Sequence, residues 1–504
     1  MAQVSTGKRL ARNTAFMYVR MALLMLISLY TSRVVLRELG VEDFGIYNLV
    51  GSVVAMFGAL RGLFATSIQR FMNYEMGKGN HEKLQLIFNM GTLINIILSI
   101  IFVVGVELVG YWFFNYKINI DPTRIIAAKW VFQFSIISAV ISMLTTPYDA
   151  VIIANERMDF YAIMAIIEGI FRLIIVFVLV YSPFDKLIFY ATLQLLVSII
   201  VLIINSAYCK YNFPESHYKR CWDNDLFKEM STFAGWNFFG NMAFTLTDSC
   251  LNMILNIFGG PVVNAARGIA YQIKGATTKL LDAMTTVVSP YNTKNYAMGE
   301  KNKFFSMLFI SSKIYFIVQL CVIIPLTYLT SEILYIWLKQ IPEYSVVFVQ
   351  LVLVHSLIRS IHYPINNLFK SAGNLKKYQI TEGIVLSLPL IFSYVLLKAG
   401  YQFYYLFIIV ILFEIINFIV ILFLARDVSG MSLKQYTSNV VFPCLICFII
   451  AFGFYLINEI FIRNLVSTIC IVIMIEIVCV LIMFFIGLSQ NEQSQILSLI
   501  KKNK

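Results

Sequence analysis

A stripe of amide, hydroxyl and carboxylate side chains follows one face of an apolar segment near the middle of the chain. Its members recur at steps of three or four residues: Asn237, Asn241, Thr245, Asp248, Asn252 and Asn256. At about 100° per residue they fall within one stripe about 100° wide on a helix. Such groups do not face lipid tails, so they either form a hydrogen-bonded seam with another helix or line a wet cavity. We favour the cavity, in which these groups would hold a polar ligand.

The next apolar segment repeats this arrangement and adds a positive charge. Its polar residues fall within about 80° of one another on an ideal helix: Tyr271, Lys274, Thr278, Asp282, Thr285 and Ser289. A carboxylate on each of the two segments, Asp248 and Asp282, could instead bind a coupling H⁺ or Na⁺. The pattern predicts a binding surface shared by two consecutive helices.

Basic residues lie inside several apolar segments: Arg20, Arg61, Arg172, Lys274, Lys279, Lys313 and Arg359. Each would cost about 2.5–3.5 kcal/mol on a lipid-facing helix, so most must face protein or water. Arg172 has Glu168 one turn earlier, which predicts a pair within one helix. Arg20 has no acidic neighbour of this kind, and we assign it to a cavity. Arg61 is a second candidate, although it points away from the polar residues of its own segment.

These residues indicate binding chemistry and no catalytic chemistry. A cationic lining with many hydrogen-bonding groups suits an anionic, hydroxyl-rich ligand. The sequence shows no phosphate-binding Walker motif, no nucleophile–base arrangement and no metal-ligand spacing, so we expect neither an enzyme nor a cofactor beyond a possible coupling ion. The predicted binding residues are ten: Arg20, Arg61, Asn237, Asn241, Thr245, Asp248, Asn252, Lys274, Thr278 and Asp282.

The elements that must position them are membrane-spanning helices. Hydrophobic residues make up 59% of the 504 residues and charged residues only 13%. Windows of about 20 apolar residues, enough to cross a ~30 Å hydrocarbon core, recur along the whole chain. They are residues 13–32, 45–64, 86–113, 125–147, 160–181, 187–208, 233–258, 270–289, 305–329, 346–368, 380–397, 404–424, 440–457 and 465–487. The fold class is therefore an all-α polytopic membrane protein with about 14 transmembrane helices.

The distribution of basic residues predicts the orientation of these helices. The net charge is +12, but 22 of the 39 Lys and Arg fall at one predicted membrane face and 10 at the other. This asymmetry is the positive-inside bias of a membrane protein, so it argues against nucleic acid as a partner. It places both termini in the cytoplasm.

Two matching segments predict an internal repeat. Asn73–Asn80 and Asn295–Asn302 share Asn, Tyr, Met, Gly and Asn at an offset of 222 residues. Six predicted spans separate them, so both copies lie at the same membrane face and the repeats are parallel. We predict an N-terminal lobe over residues 1–209, a cytoplasmic linker over 210–228, a C-terminal lobe over 229–426, and a final helix pair with its tail over 427–504.

Three connecting segments carry a resemblance to a known family. Leu39–Tyr47 resembles the Leu-Gly-x-x-x-Phe/Tyr-Gly-x-Tyr signature of bacterial polysaccharide exporters, and Glu156–Tyr161 and Ala372–Tyr378 resemble the same family. The chain is similar end to end to the Wzx-type O-antigen flippases, whose superfamily also holds the multidrug extruders and the lipid II flippases. The resemblance implies two six-helix lobes around a central cavity that the first, second, seventh and eighth helices line. Arg20, Lys274 and Asp248 lie on those helices.

The resemblance also implies a function and a location. The expected substrate is an oligosaccharide on undecaprenyl pyrophosphate, moved by alternating access from the cytoplasmic to the outer leaflet of the bacterial inner membrane. The extra C-terminal helix pair favours this lipid-linked substrate over the drugs of twelve-helix extruders. The alternative is an ion-coupled multidrug or metabolite extruder of the same fold. Expected partners are the substrate, membrane lipids and the polysaccharide assembly machinery, with the protein itself a monomer.

Overall fold

The computed structural model describes residues 6–116, 121–219, 221–338, 341–461, 465–488 and 492–493. Some side chains within helices, among them those of Arg61 and Asn256, lie outside the described part. Helices dominate the described residues, which contain no strand. The helices are α1 (Thr6–Lys78), α2 (His81–Tyr116), α3 (Ile125–Ala154), α4 (Met158–Val180), α5 (Lys186–Asn212), α6 (Asn224–Ala297), α7 (Lys301–Tyr328), α8 (Thr330–Leu338), α9 (Ser345–Ala372), α10 (Leu375–Lys398), α11 (Tyr404–Ser429), α12 (Leu433–Tyr436), α13 (Phe442–Phe461) and α14 (Leu465–Ile482).

The helices confirm the predicted all-α membrane fold. Among the described residues, ten helical stretches are long and apolar enough to cross a membrane. They correspond to predicted spans three to six and nine to fourteen. The other four predicted spans lie in the two long helices α1 and α6, and the total of fourteen stays a prediction.

Each of the two long helices contains one sharp kink at a glycine. In α1 the kink is at Gly40 (φ 78°, ψ 170°), and in α6 it is at Gly260 (φ 69°, ψ −168°). Both glycines have a positive φ, which a residue with a Cβ adopts only with strain. Each kink therefore separates two consecutive predicted spans without an irregular loop.

The structural repeat has a different register from the sequence match. Helix α1 is followed by Gly79 and α6 by Gly299, both with positive φ. At each end the amide after the glycine donates to a carbonyl five residues earlier, Asn80 to Glu75 and Glu300 to Asn295, both at 3.1 Å. This is the Schellman closure of a helix end. The kink and end glycines thus recur at an offset of 220 residues, two fewer than the sequence match, because the backbone conformation depends on where glycine falls.

The described chain forms two compact units. One is Arg12–Gly235. The other consists of Trp236–Lys504, which begins within α6, together with Met1–Ala11. The predicted linker of residues 210–228 packs on the first unit. The His217 carbonyl accepts from Gln85 Nε2 at 3.0 Å, the Lys219 amide donates to Asn89 Oδ1 at 3.0 Å, and Asn155 Nδ2 donates to Glu215 Oε1 at 3.2 Å. The boundary between the units therefore falls after this segment.

A cluster of ion pairs in the N-terminal unit links the part of α1 just after its kink to the N-terminal ends of α3 and α5. The Arg124 guanidinium bonds the Asp43 carboxylate, with Nε to Oδ1 at 2.8 Å, and its Nη1 lies 2.6 Å from Asp185 Oδ2. Asp185 also caps α5 by accepting from the Leu187 and Ile188 amides, both at 3.1 Å. Asp43 belongs to the segment that carries the family resemblance. Through Arg124 it is linked to the N-terminal ends of α3 and α5.

Two of the basic residues inside predicted spans have partners that fix their environment. Arg172 Nη2 lies 2.6 Å from Glu168 Oε1, which confirms the pairing predicted from their spacing. Lys313 is buried, and its Nζ bonds Glu492 Oε2 at 2.8 Å and the Gly487 carbonyl at 3.0 Å. Residues 179 positions apart make this second pair, so no local pattern could predict it.

Candidate functional site

The unit that begins at Trp236 contains a polar cavity of about 610 Å³, called here the C-terminal cavity. Both limbs of α6, which are the parts of this helix before and after the kink at Gly260, line it together with α7, α9 and α10. Its chemically active lining residues are Asn237, Asn241, Thr247, Asp248, Tyr271, Lys274, Thr278, Lys279, Asp282, Gln319, His355, Ser356, Arg359, His362, Tyr363, Asn366, Lys370, Gln379 and Glu382. Polar side chains from these four helices thus converge on one cavity.

The cavity brings together six of the ten predicted binding residues. They are Asn237, Asn241, Asp248, Lys274, Thr278 and Asp282. Thr245 and Asn252, whose side chains the structure also describes, are not among the lining residues. On the part of α6 before the kink, Gly240 and Phe244 line the cavity instead. The Thr245 hydroxyl donates to the Asn241 carbonyl at 2.8 Å. Its hydroxyl is therefore satisfied by its own helix.

Asp248 is paired across the kink of α6. Its carboxylate Oδ1 lies 2.8 Å from Arg267 Nη2, and its backbone carbonyl accepts from the same nitrogen at 3.0 Å. The Arg267 guanidinium also lies 3.9 Å from the centre of the Tyr271 ring, a cation–π distance. Arg267 falls in the connection between predicted spans, which is why span counting missed it. The pair ties the two limbs of α6 together beside the cavity.

Arg359 is the centre of a buried ionic network. Its Nη2 lies 2.7 Å from Glu382 Oε1 and its Nη1 lies 3.0 Å from Glu414 Oε1. His362 Nδ1 is 3.1 Å from the same Glu414 oxygen, and the Tyr378 hydroxyl is 3.4 Å from His362 Nε2. Helices α9, α10 and α11 supply these groups, so the partners of Arg359 are far away in sequence. Two carboxylates around one guanidinium leave no positive charge there for an anion.

The charge available to a ligand comes from two lysines on the second limb of α6. The lining holds four basic residues, Lys274, Lys279, Arg359 and Lys370, against the acids Asp248, Asp282 and Glu382. Among the residues that the structure describes, no carboxylate lies within 4.0 Å of Lys274 or Lys279. Lys274 Nζ instead lies 4.8 Å from the centre of the Tyr271 ring. The lining is therefore close to neutral in total, with two ammonium groups that remain available.

Arg20 lies in a separate cavity of the N-terminal unit, called here the N-terminal cavity, of about 280 Å³. Helices α1, α3, α4 and α5 supply its lining: Arg20, Ser142, Thr145, Asp149, Tyr161, Met164, Ala165, Glu168, Ser198, Val201 and Asn205. The Arg20 guanidinium lies 4.5 Å from the centre of the Tyr161 ring. Arg20 thus shares a cavity with two carboxylates and not with Lys274. The predicted role of Arg61 concerns a side chain outside the described part.

Cysteine labelling can separate the cavity wall from the polar stripe. In a background without the eight native cysteines, cysteines at Asn241 and Thr278 should react quickly with a small hydrophilic thiol reagent. Cysteine at Thr245 belongs to the same stripe but not to the wall, and it should react slowly, as should cysteine at Leu246. Equal rates at Asn241 and Thr245 would contradict the assignment of the cavity to this face of α6.

A bundle of apolar helices around a polar cavity defines the class of protein as a polytopic all-α membrane protein. Solved structures of membrane transporters share the fold. An outward-facing multidrug resistance MATE family transporter of the MOP superfamily matches with a TM-score of 0.73 and 14% identity, over 84% of this chain and 96% of that one. A MOP superfamily transporter from Pyrococcus furiosus, whose title reports reverse polarity of its binding pocket, matches with a TM-score of 0.70 and 14% identity over the same shares.

The sequence identifies the family within that class. A family model described as "Polysaccharide biosynthesis protein" matches residues 10–296, which is more than half of the 504 residues. The chain therefore belongs to the polysaccharide biosynthesis family. No curated protein sequence matches it.

Proposed function

We propose that this protein is a flippase for an oligosaccharide linked to undecaprenyl pyrophosphate, such as a repeat unit of O-antigen, capsule or exopolysaccharide. It would act in the bacterial inner membrane and move the headgroup from the cytoplasmic to the outer leaflet. One observation carries this proposal. A member of the polysaccharide biosynthesis family holds, inside an apolar helical unit, a polar cavity with two available ammonium groups.

The chemistry of the cavity fits such a headgroup. A sugar cannot cross hydrocarbon alone, because each hydroxyl without a hydrogen-bond partner costs several kcal/mol there. The amide and hydroxyl groups of Asn237, Asn241 and Thr278 offer substitute partners along the cavity wall. Lys274 and Lys279 supply the charge-assisted hydrogen bonds that a pyrophosphate accepts. The polyprenyl tail would stay in lipid while the protein opens to each side in turn.

The driving force has two possible sources, and the charges near the cavity bear on both. A pyrophosphate diester carries a charge of about −2, and its outward movement releases about 2.3 kcal/mol per charge per 100 mV when the cytoplasm is negative. H⁺ or Na⁺ could alternatively couple through an acid in the wall. Asp248 is already bonded to Arg267, so Asp282 is the better of the two predicted candidates.

A second function has an observation in its favour. An ion-coupled extruder of organic cations needs buried acids. Glu382 lines the C-terminal cavity, and Glu414 lines a smaller pocket that shares Asp248, Tyr271 and Lys274 with it. Both are held by Arg359, however. Carboxylates already neutralised by a guanidinium attract a cation weakly, and we therefore rank this function second. In either case the protein acts as a carrier and not as an enzyme.

Deletion of the gene in its own host tests the two functions against each other. For a flippase, surface polysaccharide should be lost, and sugar-loaded undecaprenyl pyrophosphate should accumulate on the cytoplasmic side. Re-expression of the full chain should restore export. If the deletion strain keeps its surface polysaccharide and becomes sensitive to lipophilic cations, the extruder is correct and the flippase is wrong.

A further inference from the structure

The N-terminal cavity contains two buried polar atoms that the described residues leave without partners. One is Oδ1 of Asn205 on α5, and the other is Nε of Arg20 on α1. Asn205 is only 4% exposed, and its Nδ2 donates to Asp149 Oδ1 at 3.0 Å. The side chain is thus fixed at one end and carries an unused acceptor at the other, in a residue that lines the cavity. A buried polar atom without a partner is destabilising, so this arrangement favours a ligand that supplies one.

The pair of atoms selects the chemistry of that ligand. Asn205 Oδ1 can only accept a hydrogen bond and Arg20 Nε can only donate one, so the ligand must both donate and accept. A hydroxyl group does both. Phosphate oxygens only accept when ionised, and an apolar molecule would leave both protein atoms unsatisfied.

Charges of both signs line the cavity and disfavour the other ligand classes. Asp149 and Glu168 both line it, which disfavours an anion such as pyrophosphate. Arg20, held over Tyr161, disfavours an organic cation. The remaining lining groups, Ser142, Thr145 and Ser198, are hydroxyls that add hydrogen-bonding capacity without charge. A neutral molecule rich in hydroxyl groups fits all of these conditions.

We infer that the N-terminal cavity is a subsite for the neutral sugar of the substrate, with Asn205 and Arg20 as its hydroxyl-binding residues. This inference rests on the proposed function, and it gives Arg20 a different ligand from the pyrophosphate that the C-terminal cavity suits. Asn205, which the sequence pattern did not single out, becomes a specificity residue.

Binding of two defined lipids to the purified full-length protein tests the subsite. The first probe is undecaprenyl pyrophosphate, and the second is the same lipid with one neutral sugar, either N-acetylglucosamine, glucose or galactose. The wild-type protein in lipid nanodiscs should bind at least one sugar-bearing lipid about tenfold more tightly than the bare lipid. In Asn205→Leu the ratio of the affinity for the sugar-bearing lipid to the affinity for the bare lipid should fall to about one. The affinity for the bare lipid should stay unchanged.

Two further variants keep the test independent of folding defects. Arg20→Lys retains the positive charge but removes the Nε donor, and it should lower the same ratio. Ser206→Ala is the matched control, because Ser206 lies on α5 outside the cavity lining and donates to the Ile203 carbonyl at 3.1 Å. It should leave the ratio unchanged, and thermal unfolding of each variant checks its fold.

The outcomes separate this inference from the proposed function. If the wild-type protein binds the bare lipid but no sugar-bearing lipid more tightly, water alone satisfies the two atoms and the subsite is wrong. The same holds if Asn205→Leu and Arg20→Lys both leave the ratio unchanged or weaken the binding of both lipids equally. If the wild-type protein binds neither the bare lipid nor any sugar-bearing lipid, the proposed function itself fails.

Discussion

Replacement of Lys274 with alanine should lower surface polysaccharide export at least about tenfold while the protein remains in the membrane at its normal level. Lys274 faces the C-terminal cavity, and no described carboxylate lies within ion-pair distance of it. A hydrogen bond to a charged group contributes about 1.5–3 kcal/mol, which corresponds to one to two orders of magnitude in binding. Its removal should leave folding intact, because no buried carboxylate would lose its counter-ion. Quantification of surface glycan beside a membrane-level immunoblot measures both effects.

Matched variants define what this result would mean. Lys274→Arg keeps the charge and should retain part of the export. Lys303→Ala removes a lysine whose side chain is 64% exposed at the start of α7, and it should export normally. Normal export by Lys274→Ala would show that the ammonium group of Lys274 does not bind the substrate, and the pyrophosphate site would have to lie elsewhere.

Replacement of Arg359 with leucine should strongly destabilise the protein. The Glu414 side chain is only 2% exposed and would lose its guanidinium partner, as would Glu382. Breaking a buried ion pair from one side typically costs about 3–5 kcal/mol, because the remaining charge has neither water nor a counter-ion. The variant should therefore accumulate poorly in membranes and unfold at a lower temperature in detergent. Immunoblotting and thermal unfolding measure these two effects.

A double variant and a control separate charge from packing. Removing the charge of Glu414 as well, in Arg359→Leu combined with Glu414→Gln, should recover part of the lost level. Arg172→Leu breaks a pair whose side chains are 53% and 36% exposed, and it should cost much less than Arg359→Leu. If the double variant is as unstable as Arg359→Leu alone, the defect comes from lost packing and not from the uncompensated charge.

Local properties of the sequence determined the fold class and the position of most helices. Whether 20 residues can cross a membrane depends on their own hydrophobicity, so predicted spans three to six and nine to fourteen reappear as helices of the structure. Residues three or four positions apart share a helix face whatever surrounds the helix, and for this reason the pair of Arg172 and Glu168 was predictable. The same rule placed Asn237, Asn241 and Asp248 on one side of α6.

The packing of the helices determines which charged groups meet. Arg359 is surrounded by carboxylates from α10 and α11, and Asp248 is bonded to a residue beyond the kink of α6. Such partners depend on how helices pack, which periodicity within one helix does not encode. Packing likewise placed Arg20 beside Asn205 in one cavity and Lys274 in another. Sequence alone grouped these two basic residues by their charge, because a pattern along the chain records that a charge is buried but not what lies opposite it.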